Sequence, residues 1–366
     1  MSDPKSLTRR SAMMLTAGAL AAPVLIRPTI VNAAELDQAI GQLIMIGFTG
    51  RSANGKFVKS IASHIAKGRA ASVVYLGRNI GSSRDVAGLN RLFHNAGVRH
   101  IAIDHEGGVV QRLRQKHGFT RLPSALKVAQ SRSVASAEKL YGTAAKELSR
   151  AGFTFNLGPV VDLHRDYNPV IGKNRRAYSA DPNTVAAYAG AFIRAHRRHG
   201  MTTSIKHFPG HGLSRSDSHH GFVDIRETWD PQELKPFSLL IRQGLADAVM
   251  SGHLFVRVGQ RGNGELTTFS RALIKDVLRG GLGFEGLAMT DDLDMGAVRK
   301  TAPPQEATIR AVEAGYDMLL MSNTAMANDD MPAIAVNWIR SAVREGRIQE
   351  GGILSSAARV RASRRV

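Results

Sequence analysis

The stretch Thr202–Gly212, TTSIKHFPGHG, begins as a short strand-like run and passes without a linker into a lysine, a histidine and a Pro-Gly turn. Lys206 and His207 therefore leave rigid backbone directly. The same pattern recurs along the chain. Ile101–Gly108 reads IAIDHEGG, and Gly286–Leu293 reads GLAMTDDL. In each, an apolar run ends in groups that can do acid–base or hydrogen-bond chemistry.

Reading outward from these segments, the runs Leu43–Phe48, Ser72–Leu76, His100–Asp104, Phe153–Leu157, Thr202–Lys206, Ala248–Ser251, Leu287–Thr290 and Asp317–Met321 are expected to be strands. They are apolar without strict alternation, as strands covered on both faces should be. Helical stretches lie between them: Val58–Lys67, Arg84–Ala96, Ala137–Ala151, Pro182–His199, Gln232–Gly244, Arg271–Leu282, Glu306–Gly315 and Met331–Gly346. A doubly wound sheet and a closed barrel both predict this alternation. Eight repeats in a mature chain of roughly 330 residues favour a (β/α)8 barrel, in which functional side chains follow the C-terminal ends of the strands. The polar clusters fall there: IDHEGG after the third strand, Asn168–Arg176 after the fourth, KHFPGHG after the fifth and MTDDLDM after the seventh. No composition break divides residues 35–366, so one domain is expected, with Arg359, Arg361, Arg364 and Arg365 as a short basic tail.

Residues 1–34 read as an export signal rather than as fold. Arg9-Arg10 precede an apolar run from Ala12 to Ile26, shorter than the ~20 residues of a membrane span, and Val31-Asn32-Ala33-Ala34 offers small residues for cleavage. The arginine pair points to the twin-arginine route, and hence to a periplasmic or secreted protein. Cysteine is absent, which excludes disulfides, thiolate metal sites and a cysteine nucleophile. The formal net charge of +19 suits electrostatic adsorption to anionic envelope polymers or, equally, a solvated basic surface. Nucleic acid is not expected as a partner.

KHFPGHGLSRSDSHH, Lys206–His220, holds four histidines. His207 and His211 have the i, i+4 spacing of a helical zinc pair, but Pro209 and Gly210 argue against a helix there. Asp217 and His219, two apart on a loop, suit an imidazole oriented by a carboxylate; the plain alternative is a polar turn. Asp291 and Asp292 end a strand, where one carboxylate can serve chemistry and the other cap the next segment. Asp104 and Arg112 suit polyol binding or a structural ion pair.

IDHEGG, KHFPGHG followed by Asp217-Ser218-His219, and TDDL, in that order, together resemble glycoside hydrolase family 3, and most closely its single-domain β-N-acetylhexosaminidase branch. The likeness covers nearly the whole mature chain. It implies Asp291 as nucleophile, His219 as acid/base with Asp217 orienting it, and Asp104, Arg112, Arg176, Lys206 and His207 as substrate-binding residues. Extra residues around Asn174 leave Arg175 as an alternative to Arg176. His105 and Val109 stand where the family commonly has glutamine and arginine, which should alter packing near Asp104 rather than abolish activity. The resemblance implies a monomeric, cofactor-free and metal-free retaining hydrolase. Its substrates would be terminal β-linked N-acetylglucosaminides of envelope glycans or peptidoglycan fragments. Competing readings are a phosphorylase on the same site, a zinc hydrolase built on His207, His211, His219 and Asp217, and a non-catalytic glycan-binding protein.

Overall fold

In the computed structural model, which describes residues 32–217, 221–258 and 264–363, eight parallel strands form one ring. They are β1 (Ile44–Gly47), β2 (Ser72–Tyr75), β3 (His100–Ile103), β4 (Phe155–Asn156), β5 (Thr202–Phe208), β6 (Ala248–Ser251), β7 (Leu287–Thr290) and β8 (Leu319–Met321). Neighbours in sequence are neighbours in the sheet from β1 to β7, and β8 pairs with β1. A parallel bridge between Met289 and Met318 closes β7 on β8. The expected fold class, a (β/α)8 barrel, is the observed one.

Side-chain alternation sorts the strands into two cores. Met45, Val74, Ala102, Phe155, Met250 and Met289 belong to one cluster inside the ring. Their neighbours Ile44, Ile46, Val73, Tyr75, Ile101 and Ile103 pack outward against the helices. Because both directions are apolar, the strands show continuous hydrophobicity. Unbranched, flexible methionine suits the irregular space of a small barrel interior.

The helices fall where expected, with ends shifted by a few residues. Gln232–Gly244 divides into a 3-10 turn, Pro231–Glu233, and an α-helix, Leu234–Arg242. Arg271–Leu282 contains a π-helix, Ala272–Gly281. β4 shrinks to two residues, since the chain turns at Gly158-Pro159 and rejoins β5 through a bridge from Val160 to Lys206. The helices Ala33–Gln42, Ala125–Ser131, Gly296–Arg299 and Glu350–Ala362 lie outside the predicted set. The first starts at Ala33 under a capping box formed by Asn32 and Glu35; the chain before residue 32 lies outside the described residues.

Arg359 and Arg361, read as part of a basic tail, instead sit in the helix Glu350–Ala362, while Arg364 and Arg365 lie outside the described residues. This helix closes the N-terminal mouth of the barrel. Ser363 just beyond it bonds His100 Nε2 through its hydroxyl at 2.7 Å and accepts from Thr202 Oγ1 through its carbonyl at 3.0 Å. Val360 joins the interior core. With that mouth filled, the C-terminal mouth is the face left for a site.

Asp317 locks the closure. Its buried carboxylate accepts from Ala288 N at 2.9 Å, Ser356 Oγ at 2.8 Å and Arg359 Nη1 at 2.9 Å, and from Arg279 Nη2. One side chain thus joins β7, the π-helix and the final helix. Breaking one side of a buried ion pair typically costs ~3–5 kcal/mol. We expect Asp317→Ala to lower the unfolding free energy by about that amount, read from urea denaturation, whereas substituting the exposed Glu345 should change it by less than about 0.5 kcal/mol.

Candidate functional site

Four strand ends converge at the open mouth. Lys206, at the end of β5, is only 4% exposed and places Nζ 3.0 Å from Asp104 Oδ1 and 2.7 Å from Glu106 Oε1. Asp104 follows β3 and also accepts from Arg112 Nη2 at 3.1 Å. Glu106 takes both ends of the Arg176 guanidinium, Nε at 2.9 Å and Nη2 at 2.7 Å, in a bidentate pair. Two carboxylates and three cations therefore form one continuous network.

Burial alone would raise the carboxyl pKa values here, but the surrounding cations outweigh it. Lys206 and Arg112 hold Asp104 below the usual carboxylate range, and Arg176 and Lys206 bring Glu106 down to about 2. Lys206 moves the other way: burial lowers its pKa, yet Asp104 and Glu106 raise it overall.

A register irregularity in β5 between Lys206 and Phe208 frees His207 from simple alternation. Its Nδ1–H donates to Asp162 Oδ2 at 2.7 Å, and its backbone N–H donates to Asp162 Oδ1 at 3.0 Å. The carboxylate thus fixes the ring and directs Nε2 away from itself. Asp162 reaches this position because the chain after β4 runs beside Lys206. His211 N–H donates to the same Asp162 oxygen at 2.9 Å. The His211 ring, engaged through Nδ1 with Ser214 Oγ at 2.6 Å, is pushed down to about 4 by burial and by His207, so it is neutral near pH 7. The i, i+4 histidines lie on non-helical backbone, each with Nδ1 committed to the protein.

Behind this loop lies Glu233, fully buried, with Oε2 accepting from Leu163 N at 3.2 Å. Gly210 (φ 120°) and Gly212 pass over it so closely that a Cβ would fall 2.3 Å from Glu233 Cβ and 2.5 Å from its Oε1, respectively. Only glycine fits that crossing. Burial and the charge on Asp162 push Glu233 up to about 8, so it carries a proton at neutral pH.

Asp291 ends β7 with its N–H on Ser251 O at 3.1 Å. Burial raises its pKa, but His253, His207, Lys206 and the Asp292 N–H together take it below the ordinary value. The groups that act most strongly on Asp291 are thus those of the β5 end and of β6. Asp292 has the capping role: its Oδ1 accepts from Ser322 N at 2.8 Å and Asp294 N at 3.1 Å, and burial raises its pKa to about 6.

The structure brings together Asp104, Arg112, Arg176, Lys206, His207 and Asp291. Arg175 stands apart, exposed and hydrogen-bonded to Gln130; Arg176 is the arginine that enters the cluster. Asp217 is half-buried at the end of a firmly rooted loop. Asn168 Nδ2 holds His211 O at 2.7 Å, Gly212 O at 3.0 Å and Ser214 Oγ at 3.1 Å, and Arg215 lies over the Tyr167 ring at 5.6 Å. His219 lies outside the described residues. Sequence reasoning missed Glu106, Asp162 and His253 as members of the site. Glu106 was inside a quoted motif, Asp162 ends the apolar Val160-Val161 pair, and His253 follows β6, so the rule that chemistry sits at strand ends would have found all three.

The model of the family described as glycosyl hydrolase family 3 N terminal domain matches residues 35–362. A beta-hexosaminidase of Xylella fastidiosa strain M12 is 33% identical over 325 residues, covering 85% of this chain and 92% of that protein. The crystal structure of beta-N-acetylhexosaminidase from Beutenbergia cavernae superposes with a TM-score of 0.79 at 30% identity, over 90% of this chain and 98% of that one. A glycoside hydrolase family 3 beta-N-acetylglucosaminidase from Paenibacillus sp. FPU-7 gives 0.80 at 31% identity, over 90% of this chain and 62% of that one. With the strand-end cluster and the barrel that carries it, these likenesses establish that the chain belongs to glycosyl hydrolase family 3.

Proposed function

We propose that this protein is a retaining β-N-acetylhexosaminidase that removes terminal β-linked N-acetylglucosamine from envelope glycans or peptidoglycan fragments. The observation that carries the reading is the buried Asp104–Lys206–Glu106–Arg176 network beside an ionised strand-end carboxylate, Asp291. Fixed donors and acceptors of both signs suit the hydroxyls of a sugar, and a low-pKa carboxylate suits attack on an anomeric carbon.

In this mechanism Asp104, Arg112, Arg176, Lys206 and His207 hold the terminal sugar. Asp291 attacks the anomeric carbon as the bond to the leaving oxygen breaks, giving a covalent glycosyl-enzyme. His219, protonated, supplies the proton that the leaving oxygen takes. It then removes a proton from the water that releases the sugar with its configuration retained. An imidazole serves because its ordinary pKa of ~6.5 lies near working pH, and Asp217 favours the protonated ring and steers it. Relatives named as beta-hexosaminidases and the amino-sugar hydrolases among the structural neighbours support the choice of sugar. The leader-like first 34 residues support export, and the excess of Lys and Arg over Asp and Glu supports adsorption to an anionic matrix that salt would weaken.

Hydrolysis of an aryl N-acetyl-β-glucosaminide, beside the corresponding glucoside and xyloside and with the product anomer followed in time, tests the reading directly. Release of the β-anomer from the amino sugar alone is expected; inversion, or a preference for glucose or xylose, would refute it. Asp291→Ala should abolish turnover with unfolding temperature unchanged, and appreciable residual hydrolysis would remove it as nucleophile. His219→Ala should slow substrates with poor leaving groups by about 10²–10⁴-fold and spare the first step on activated aryl glycosides; equal losses on both would exclude it as the acid. Glu106→Gln should lower kcat/KM by loosening Arg176 and Lys206. Since the Glu106 carboxyl titrates at about 2 in the folded protein against ~4.3 in an unfolded chain, its contribution to stability is complete above that upper value. It is lost as pH falls toward the lower one. The variant should therefore show a shallower fall in stability over that interval, measured by denaturation at each pH.

A further inference from the structure

Next to the sugar-holding network, the hairpin after β3 and the loops after β1 and β2 border a half-open cavity of about 240 Å³. Arg51, Arg112, Arg114, Lys116 and His117 line it, and no aspartate or glutamate is among the described residues of its wall. Its frame is rigid. The Gln111 side chain is buried and bonds Leu113 O, Thr120 O and Leu122 N. Arg114 donates its N–H to His117 Nδ1 at 3.0 Å, which leaves the proton of a neutral ring on Nε2. Burial, then Lys116 and Arg114, lower the His117 pKa, so the ring acts as a neutral donor among cations. Arg51 is anchored by Nε to Arg78 O at 2.9 Å and retains its other guanidinium donors. Arg112 reaches both ways: Nη2 belongs to Asp104, while its buried Nε has no hydrogen-bond partner among the described residues. Arg112 shares Asp104, but no carboxylate among the described residues of the cavity wall faces Arg51, Arg114 and Lys116, so these cations repel one another unless an anion joins them.

We propose that this cavity is an anion subsite that takes a phosphoryl group borne by the terminal sugar. The assignment rests on the reading above that Asp104 and Arg112 hold that sugar. Position fixes which end of the sugar is involved. β3, which carries the hairpin, stands opposite β7, which carries Asp291, since the two are separated by β4, β5 and β6 in the ring. A pyranose with C1 at Asp291 sets its remote edge against Asp104 and Arg112, and on that edge the exocyclic C6 reaches farthest from the ring, so a 6-O-phosphoryl substituent is the one assigned to the cavity. A tetrahedral oxyanion offers acceptors in several directions, as guanidinium groups arriving from two loops require.

The test compares an aryl 6-phospho-N-acetyl-β-glucosaminide with the unphosphorylated aryl sugar, for the wild type and for the double variant Arg114→Ala/Lys116→Ala. The wild type should favour the phosphorylated substrate. The variant should lose about 10–100-fold in kcat/KM on it, as expected for removing two hydrogen-bonding cations, and stay within about twofold on the unphosphorylated one. Equal losses on both substrates, or no hydrolysis of the phosphorylated sugar beside turnover of the plain one, would overturn the proposal. Titration with inorganic phosphate at fixed ionic strength reads the cavity without catalysis. Saturable binding by the wild type and its loss in the variant support the subsite; no binding by the wild type refutes it. Phosphate binding without any preference for the phosphorylated sugar would identify a site for the free anion and refute the substrate-borne assignment. Failure to hydrolyse either aryl sugar would sink the proposed function instead, and the phosphate titration would then decide the cavity alone.

Discussion

Lys206 between Asp104 and Glu106 is the constraint on which the open face of the barrel depends. An ammonium this deeply buried is tolerable only when paired, and its two partners come from a different strand end. They in turn fix Arg112 and Arg176, from the hairpin after β3 and the long loop after β4. No member can move without leaving a charge uncompensated in a poorly hydrated place. The network thus spends little stability on flexibility and holds donors and acceptors ready before any ligand arrives.

Around that network, environment sorts chemically similar groups into different protonation states. Asp291, facing cations and histidines, stays ionised; Asp292, one residue on, is held higher by burial and caps a turn. Asp162 is charged and orients His207, whereas Glu233 behind it keeps its proton, because two neighbouring carboxylates in one buried space do not both ionise cheaply. His211 is neutral and serves the loop. Splitting the pKa values of like residues in this way is how one site separates reacting groups from supporting ones.

Much of this was legible in the sequence, for a physical reason. A parallel barrel demands strands apolar on both faces, so the eight runs stood out, and it delivers side chains at strand ends, so Asp104, Lys206, His207 and Asp291 could be placed before any coordinates. Arg176 was separable from Arg175 only in three dimensions. The choice depends on Arg175 adopting φ 56° and turning outward while Arg176 meets Glu106. Glu106 and Asp162 lie just past strand ends and could have been nominated by position, but their partners lie 70 and 45 residues away, so no local pattern showed what each would hold. The final helix escaped for the opposite reason: its arginines look like a solvated tail until Asp317, buried in the barrel floor, is seen to need Arg359.

The two ends of the barrel thereby divide the work. At the floor, Asp317 is saturated by backbone, hydroxyl and guanidinium donors, and the C-terminal helix seals the interior. At the mouth, the cations without a carboxylate in their immediate wall gather toward Arg112 and the hairpin after β3 rather than toward Asp291. A field arranged in this way does more than attract anions to the surface. It draws a negatively charged substituent to the side away from the nucleophile, where it cannot oppose the attack of an anionic Asp291. Placing the positive excess far from the reacting carboxylate lets the site bind charge without neutralising the group that does the chemistry.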